Sequence, residues 1–133
     1  MFENTDIIDV YTRKQALLDK AQFNIDTFDP KIRTDKGIKY PVFITDTVMN
    51  IVRNSARISG DTVEWILFDI CNMFTCYAKN NRNSSEIKFL VAIKYLNRKN
   101  NIDVKDICLY AQIGAMDFDD VSPVITIMDH IDL

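Results

Sequence analysis

Three aspartates stand within four positions near the end of the chain, at Asp117, Asp119 and Asp120. Alternating carboxylates are typical ligands of calcium and magnesium, and two-metal nucleases also build their centres from carboxylates. This segment supplies only two alternating carboxylates, with no glycine at the turn position and no glutamate downstream. Because aspartates in turns commonly bond nearby backbone amides, the pattern favours an exposed acidic connector between two strands. A metal-dependent hydrolase at residues 117–120 is the less favoured alternative.

Other catalytic constellations find little support in the sequence. His130 is the only histidine, and nucleophilic catalysis by serine or cysteine normally needs a histidine that a third group orients. The histidine and the three dispersed cysteines lack the paired spacing of zinc ligands. The three glycines form neither a GxGxxG motif nor a phosphate-binding loop. The sequence therefore predicts a non-enzymatic protein with no catalytic residue, no metal ligand and no cofactor.

The composition predicts one soluble globular domain, residues 1–133. Hydrophobic residues make up 47% and charged residues 26%, which is ordinary for a folded domain large enough to bury a core. No apolar run approaches the ~20 residues of a membrane span, and the N-terminal segment is unlike a signal peptide. The three cysteines lie in apolar patterns, which predicts buried thiols in a reducing cytoplasm. We therefore expect a cytoplasmic protein without a membrane partner.

The net charge of −3 conceals an uneven distribution of charge. Residues 79–99 are predominantly basic, and residues 103–133 are predominantly acidic. Because the two segments adjoin, they can neutralise each other across a sheet, which disfavours nucleic acid as the partner. The predicted protein-binding residues are Asp103, Asp106, Asp117, Phe118, Asp119 and Asp120. The nucleic-acid alternative uses Lys88, Lys94, Arg98 and Lys99.

Three helices are predicted, over residues 13–20, 45–59 and 62–79. Thr12 and Gln15 have the spacing of a capping box at the start of the first helix. Thr45 has the residue type and position of an N-cap for the second helix, which is expected to end near Ser59-Gly60.

The third helix has the clearest apolar periodicity of the chain. Asp61 and Glu64 repeat the cap spacing at its start. Trp65, Phe68 and Met73 widen its apolar stripe, so we expect a central helix that is covered on more than one side.

Strands are predicted from alternating or β-branched apolar runs, over residues 6–11, 42–44, 87–95, 107–113 and 124–128. Connections of about ten residues between the last three favour an antiparallel meander, because a parallel crossover needs about a dozen residues or more. Residues 21–41 contain Pro30 and Gly37 and are predicted to be irregular. The predicted fold class is α+β, with three helices packed on a small, mainly antiparallel sheet that ends in a three-stranded meander.

Three segments of the chain have a recognisable pattern. They are Tyr11-Thr12-Arg13-Lys14-Gln15-Ala16, Gly37-Ile38-Lys39-Tyr40-Pro41-Val42 and Pro123-Val124-Ile125-Thr126-Ile127-Met128. In this order they resemble a family of small proteins of unknown function that bacterial plasmids and phages encode. The chain departs from the family pattern at Asp19-Lys20, where an Asp-Gly pair is usual, and in the GAMDFDDVS loop. The resemblance implies a mobile-element protein in a bacterial cytoplasm and brings no assigned catalytic residue.

The sequence as a whole favours a protein that acts by binding a host protein. The resemblance implies an accessory factor of a mobile element, for example an inhibitor of a defence system of the anti-CRISPR or antirestriction type. Aspartates can engage the arginines and lysines with which a nucleic-acid-binding defence protein holds phosphates. A nucleic-acid-binding regulator that uses residues 79–99 and a metal-dependent hydrolase remain as alternatives, and a homodimer is compatible with the sequence.

Overall fold

The computed structural model describes residues 12–133, so the strand predicted at 6–11 lies outside the described residues. The described part is α+β, which confirms the predicted fold class. Its helices are α1 (Arg13–Leu18), α2 (Lys31–Thr34), α3 (Asp46–Ser59) and α4 (Val63–Ala78). Its strands are β1 (Gln22–Asn24), β2 (Val42–Thr45), β3 (Glu86–Leu96), β4 (Ile102–Asp117) and β5 (Asp120–Asp129), and short 3-10 turns occur at Ile25–Thr27 and His130–Asp132.

The five strands form one mixed sheet in the order β1-β2-β5-β4-β3. β2 runs parallel to β5, and every other neighbouring pair is antiparallel. The predicted C-terminal meander of β3, β4 and β5 is therefore confirmed. Among residues 12–133, β3 forms one edge of the sheet and β1 forms the other.

The two long helices begin and end where their capping residues predict, with one correction. The hydroxyl of Thr45 accepts the amide of Val48 at the start of α3, and Gly60 ends that helix in a left-handed conformation at φ 81°. At the start of α4 the predicted cap, Asp61, is wrong. Thr62 has the extended backbone of an N-cap, and its hydroxyl accepts the amide of Trp65 at 3.1 Å.

The prediction that residues 21–41 are irregular is wrong, because this segment holds β1, a 3-10 turn and α2. These elements are three or four residues long, which is too short for a periodic apolar pattern. Tertiary contacts stabilise them instead. The guanidinium of Arg33 binds Asp26 at 2.8 Å, and the side chains of Ile25 and Ile32 are buried in the core. As a result the chain has four α-helices in its described part rather than the predicted three.

The strands of the meander are longer than predicted, and their connections are correspondingly shorter. β4 begins at Ile102 rather than 107, because β3 and β4 stay in register over the whole length of β3. β4 and β5 are joined by a two-residue turn, Phe118 and Asp119, rather than by about ten residues.

The main core lies between one face of the sheet and the helices α3 and α4. The alternation predicted for β3 is confirmed, because Ile87, Phe89, Val91 and Ile93 are buried on this face. α1 lies on the opposite side, where Arg13 contacts both β2 and β5. We call the side of β3 and β4 that faces away from α3 and α4 the outer face.

The three cysteines are all free, and they differ in exposure. Cys71 is buried as predicted, and this burial raises the pKa of its thiol to about 12. Cys76 is exposed, so the expectation of a buried thiol is wrong at that position, because its side of α4 faces solvent. Within residues 12–133 no helix is both long and apolar enough to cross a membrane.

Candidate protein-binding surface

The acidic segment that the sequence singles out is a tight hairpin turn between β4 and β5, as predicted. Asp117 lies at the end of β4, and its carboxylate accepts three backbone amides. Its Oδ1 accepts the amides of Arg13 at 3.2 Å and Phe118 at 2.9 Å, and its Oδ2 accepts the amide of Lys14 at 3.0 Å. Two of these amides belong to the first turn of α1, which otherwise lacks acceptors for them. Asp117 therefore attaches α1 to the hairpin.

These hydrogen bonds lower the pKa of Asp117, with the amide of Phe118 as the largest cause and that of Lys14 next. The stabilisation they provide is present above the ordinary pKa of 3.8 and is lost as the pH falls through the lower value of the folded state. We expect Asp117→Asn to lower the urea midpoint near neutral pH and to reduce its fall below about pH 4.

Asp119→Asn is the matched control, because Asp119 is an exposed residue of the same turn. Urea unfolding followed by circular dichroism from about pH 2.5 to 7 compares the two variants. Equal midpoints for both variants at every pH would show that Asp117 does not stabilise the fold through its charge.

The other two predicted acidic residues do not join this hairpin. Asp103 pairs with Tyr95 and Asp106 with Ala92 in the β3–β4 register, which places their side chains on opposite faces of the sheet. At 3.3 Å per residue, Asp106 lies about 36 Å along β4 from Asp117. The structure brings Asp117, Phe118, Asp119 and Asp120 together and leaves Asp103 and Asp106 at the far end.

The residues of the nucleic-acid alternative are also divided. Lys88 and Lys94 both project on the outer face of β3, about 20 Å apart. The ammonium of Lys94 bonds Asp61 at 3.0 Å, and Asp106 projects from the neighbouring strand between the two lysines. The remaining pair, Arg98 and Lys99, lies in the turn after β3. Carboxylates thus interrupt the basic stretch.

The alternative of a metal-dependent hydrolase requires a group of side chains that could bind a metal ion. Among residues 12–133 no group of three or more histidine, cysteine, aspartate or glutamate side chains is arranged to hold a metal ion. The carboxylate of Asp117 is already an acceptor for three amides, and Oδ1 of Asp120 accepts the amide of Ser122 at 3.0 Å.

A different surface, around Trp65, has the features of a binding site. Trp65 lies in the first turn of α4, and 61% of it is exposed. Its indole stacks on Phe68, one turn along, with ring centroids 6.0 Å apart and an interplanar angle of 14°. The ammonium of Lys36 lies 4.2 Å from the centre of the Phe68 ring. The predicted covering of α4 on more than one side is therefore wrong at its N-terminal end.

Trp65 lines two clefts, and carboxylates border both. The first, of about 300 Å³, lies between α2 and the start of α4, and Asp29, Asp35 and Glu64 line it. The second, of about 110 Å³, lies between Trp65 and β3, and its carboxylates are Asp61 and Asp69. We call Trp65, Phe68 and these five carboxylates the Trp65 surface.

Lysines neutralise part of the Trp65 surface. Lys94 pairs with Asp61 in the second cleft. Burial raises the pKa of Asp69, and the nearby ammonium of Lys36 opposes that shift. Lys31, an exposed residue, lines the first cleft together with Asp35 and Glu64. Five carboxylates against three lysines leave an excess of negative charge around an exposed indole.

This arrangement suits a cationic side chain. The face of an indole is the best aromatic acceptor of a cation–π contact, and adjacent carboxylates add charge-assisted hydrogen bonds. Arginine fits both features, because its planar guanidinium can stack on a ring while its edge binds a carboxylate. The sequence did not indicate this surface, because Trp65 sits in an apolar periodicity and its carboxylates come from two separate stretches, residues 29–35 and 61–69.

Comparison with protein-family models, with curated proteins and with solved structures finds no match to this chain. The resemblance to the plasmid and phage family therefore stays a prediction that rests on its three segments.

Proposed function

We propose that this chain is a non-enzymatic interaction protein, which binds an arginine- or lysine-bearing surface of another protein through the Trp65 surface. The observation that carries the proposal is the exposed, stacked indole of Trp65 between two clefts that carboxylates border. Tryptophan is enriched among the residues that dominate interface energetics, and a surrounding polar rim is typical of such sites.

The biological setting of the proposal comes from the sequence. The resemblance to plasmid and phage proteins implies that the chain acts in a bacterial cytoplasm as an accessory factor of a mobile element. Its partner is then a host protein whose basic surface holds nucleic-acid phosphates, as in CRISPR or restriction systems. A negative surface with a central aromatic anchor would cover such a basic patch and compete with the nucleic acid.

Trp65→Ala should weaken partner binding by about 30-fold or more, which corresponds to about 2 kcal/mol at a central aromatic anchor. The tagged chain is first used to capture proteins from a lysate of a bacterial host, and mass spectrometry identifies them. The affinity of the purified partner for the wild type and each variant is then measured by calorimetry at two salt concentrations. Binding should weaken as salt increases, because oppositely charged surfaces meet.

Phe118→Ala is the matched control, because Phe118 is an equally exposed aromatic residue of the acidic hairpin. It should leave the affinity unchanged. If Phe118→Ala abolishes binding and Trp65→Ala does not, the partner binds the acidic hairpin and not the Trp65 surface. Partners that are not basic, or tight binding of the chain to nucleic acid alone in a shift assay, would contradict the proposed function.

A further inference from the structure

The outer edge of β3 is long, and none of the strands that the structure describes pairs with it. Among the described residues β3 pairs with β4 alone, over eleven positions from Glu86 to Leu96. The opposite edge of the sheet, β1, is only three residues long. A long edge strand presents a row of amides and carbonyls that can pair with another strand, and natural proteins usually shorten or cover such an edge. β3 contains no proline, and no bulge interrupts its pairing.

The hydrogen-bonding pattern fixes which residues of β3 face outward. The amide of Ile113 donates to the carbonyl of Ser85 at 2.7 Å, so the backbone groups of odd-numbered residues point toward β4. The backbone groups of even-numbered residues therefore point away from the sheet. Their side chains project on the outer face, and they are Glu86, Lys88, Leu90, Ala92, Lys94 and Leu96.

We propose that a second copy of this chain pairs antiparallel with β3, with Leu90 opposite Leu90 of the second copy. In this register each Glu86 stands opposite a Lys94, and each Lys88 stands opposite an Ala92. The dimer thus gains two cross-strand ion pairs, with Leu90, 42% exposed in the single chain, at its centre. The proposed pairing does not depend on the proposed function, although Ala92 and Lys94 of β3 also line the second cleft of the Trp65 surface.

The charges select this register from its neighbours. If the register shifts so that Val91 faces Val91 of the second copy, Lys88 of each copy stands opposite Lys94 of the other, and these two contacts are repulsive. If the register shifts so that Phe89 faces Phe89 of the second copy, Glu86 stands opposite Ala92, and no charged residue of β3 has an oppositely charged partner on the second copy. In the favoured register Lys94 lies between its own Asp61, at 3.0 Å in the single chain, and Glu86 of the second copy.

The symmetry follows from the pairing. A two-fold axis through the Leu90 pair is perpendicular to the sheet, so a continuous ten-stranded sheet forms with all long helices on one side. Both Trp65 surfaces then lie on the helix side of the continuous sheet, beside the paired β3 strands. Two binding sites on one side allow the dimer to engage a partner that presents its basic surface twice.

Charge reversal tests the register. Glu86→Lys places lysines opposite Lys94, and Lys94→Glu places glutamates opposite Glu86, so each single variant should raise the dimer dissociation constant at least about tenfold. The double variant E86K/K94E should restore the wild-type value. An equimolar mixture of the two single variants should form a heterodimer, because their β3 edges are then complementary. Sedimentation equilibrium measures each dissociation constant, and circular dichroism confirms that each variant folds.

A cysteine cross-link tests the axis. Facing residues of a hydrogen-bonded antiparallel pair have Cα atoms about 5.5 Å apart, which is within the range of a disulfide. Under mild oxidation Leu90→Cys should form a covalent dimer faster than wild type or Ala92→Cys. A wild-type chain that is monomeric at about 0.5 mM overturns the proposal. A dimer that neither charge reversal nor Leu90→Cys affects as described also overturns it.

Discussion

Arg13→Met should lower the free energy of unfolding by about 2–4 kcal/mol, although Arg13 lies on a short helix at the side of the sheet. Its Nε donates to the carbonyl of Met116 at 2.6 Å, and its Nη1 donates to Gln22 and Thr126 at 2.9 Å each. Burial lowers the pKa of Arg13, with the charge of Asp117 opposing the shift. Methionine keeps the apolar stem of the side chain but cannot donate, so it leaves these acceptors unpaired. One of them is the hydroxyl of Thr126, a residue that is only 6% exposed.

Lys14→Met is the matched control, because Lys14 is the next residue of α1 and its side chain is exposed. It should change the free energy of unfolding by less than about 0.5 kcal/mol. Guanidinium unfolding curves give both values. If the two variants unfold at the same midpoint, the Arg13 contacts do not hold α1 on the sheet.

Phe89→Ala should cost about 3–5 kcal/mol, the range for a buried phenylalanine. Phe89 is 0% exposed in the middle of β3. Its ring meets Phe74 of α4 edge-to-face at 5.9 Å and lies 6.3 Å from Tyr77. Because small domains are typically stable by about 5–15 kcal/mol, this single change removes a large part of the stability.

The control for Phe89→Ala is Phe118→Ala, which removes the same atoms from a position that is 69% exposed. It should stay within about 0.5 kcal/mol of wild type. Thermal and denaturant unfolding distinguish the two variants. Similar losses for both would mean that the packing between α4 and β3 contributes little.

Local signals in the sequence predicted much of the fold. The threonine caps at Thr12 and Thr45 and the alternation of β3 depend on neighbouring residues, so they can be read directly. The parallel pairing of β2 with β5 depends on segments about 80 residues apart, and no local pattern indicates it. α2 was missed for a related reason, since the contact of Arg33 with Asp26 stabilises a helix too short to have a period.

The three segments on which the predicted family resemblance rests meet in space. Arg13 of the first segment donates to Thr126 of the third and lies over the ring of Phe43, which follows the second. The amide of Ile125 donates to the carbonyl of Pro41 at 2.9 Å. These contacts give the pattern a structural role at the centre of the sheet. The pattern therefore does not indicate the binding site, and Trp65 lies outside it.

The turn after α1 contains a residue with positive φ. Lys20, where the resemblance predicted from the sequence would place a glycine, adopts a left-handed conformation at φ 57°. Glycine reaches this region without the steric cost that a side chain brings. The turn after α1 is therefore the same turn that an Asp-Gly pair would form.

The parallel β2–β5 pair also constrains how the protein is made. All four residues of β2, Val42–Thr45, are buried in the finished sheet, yet their partner strand lies about 80 residues later in the chain. At a synthesis rate of about 5–20 residues per second, β2 waits on the order of 4 to 16 seconds for β5 to emerge from the ribosome. During that interval α1, β1 and the 3-10 turn, which are made before β2, and the elements that follow it, beginning with α3, can shield its apolar side chains. The order of elements along the chain thus places a helical cover next to the strand that waits longest.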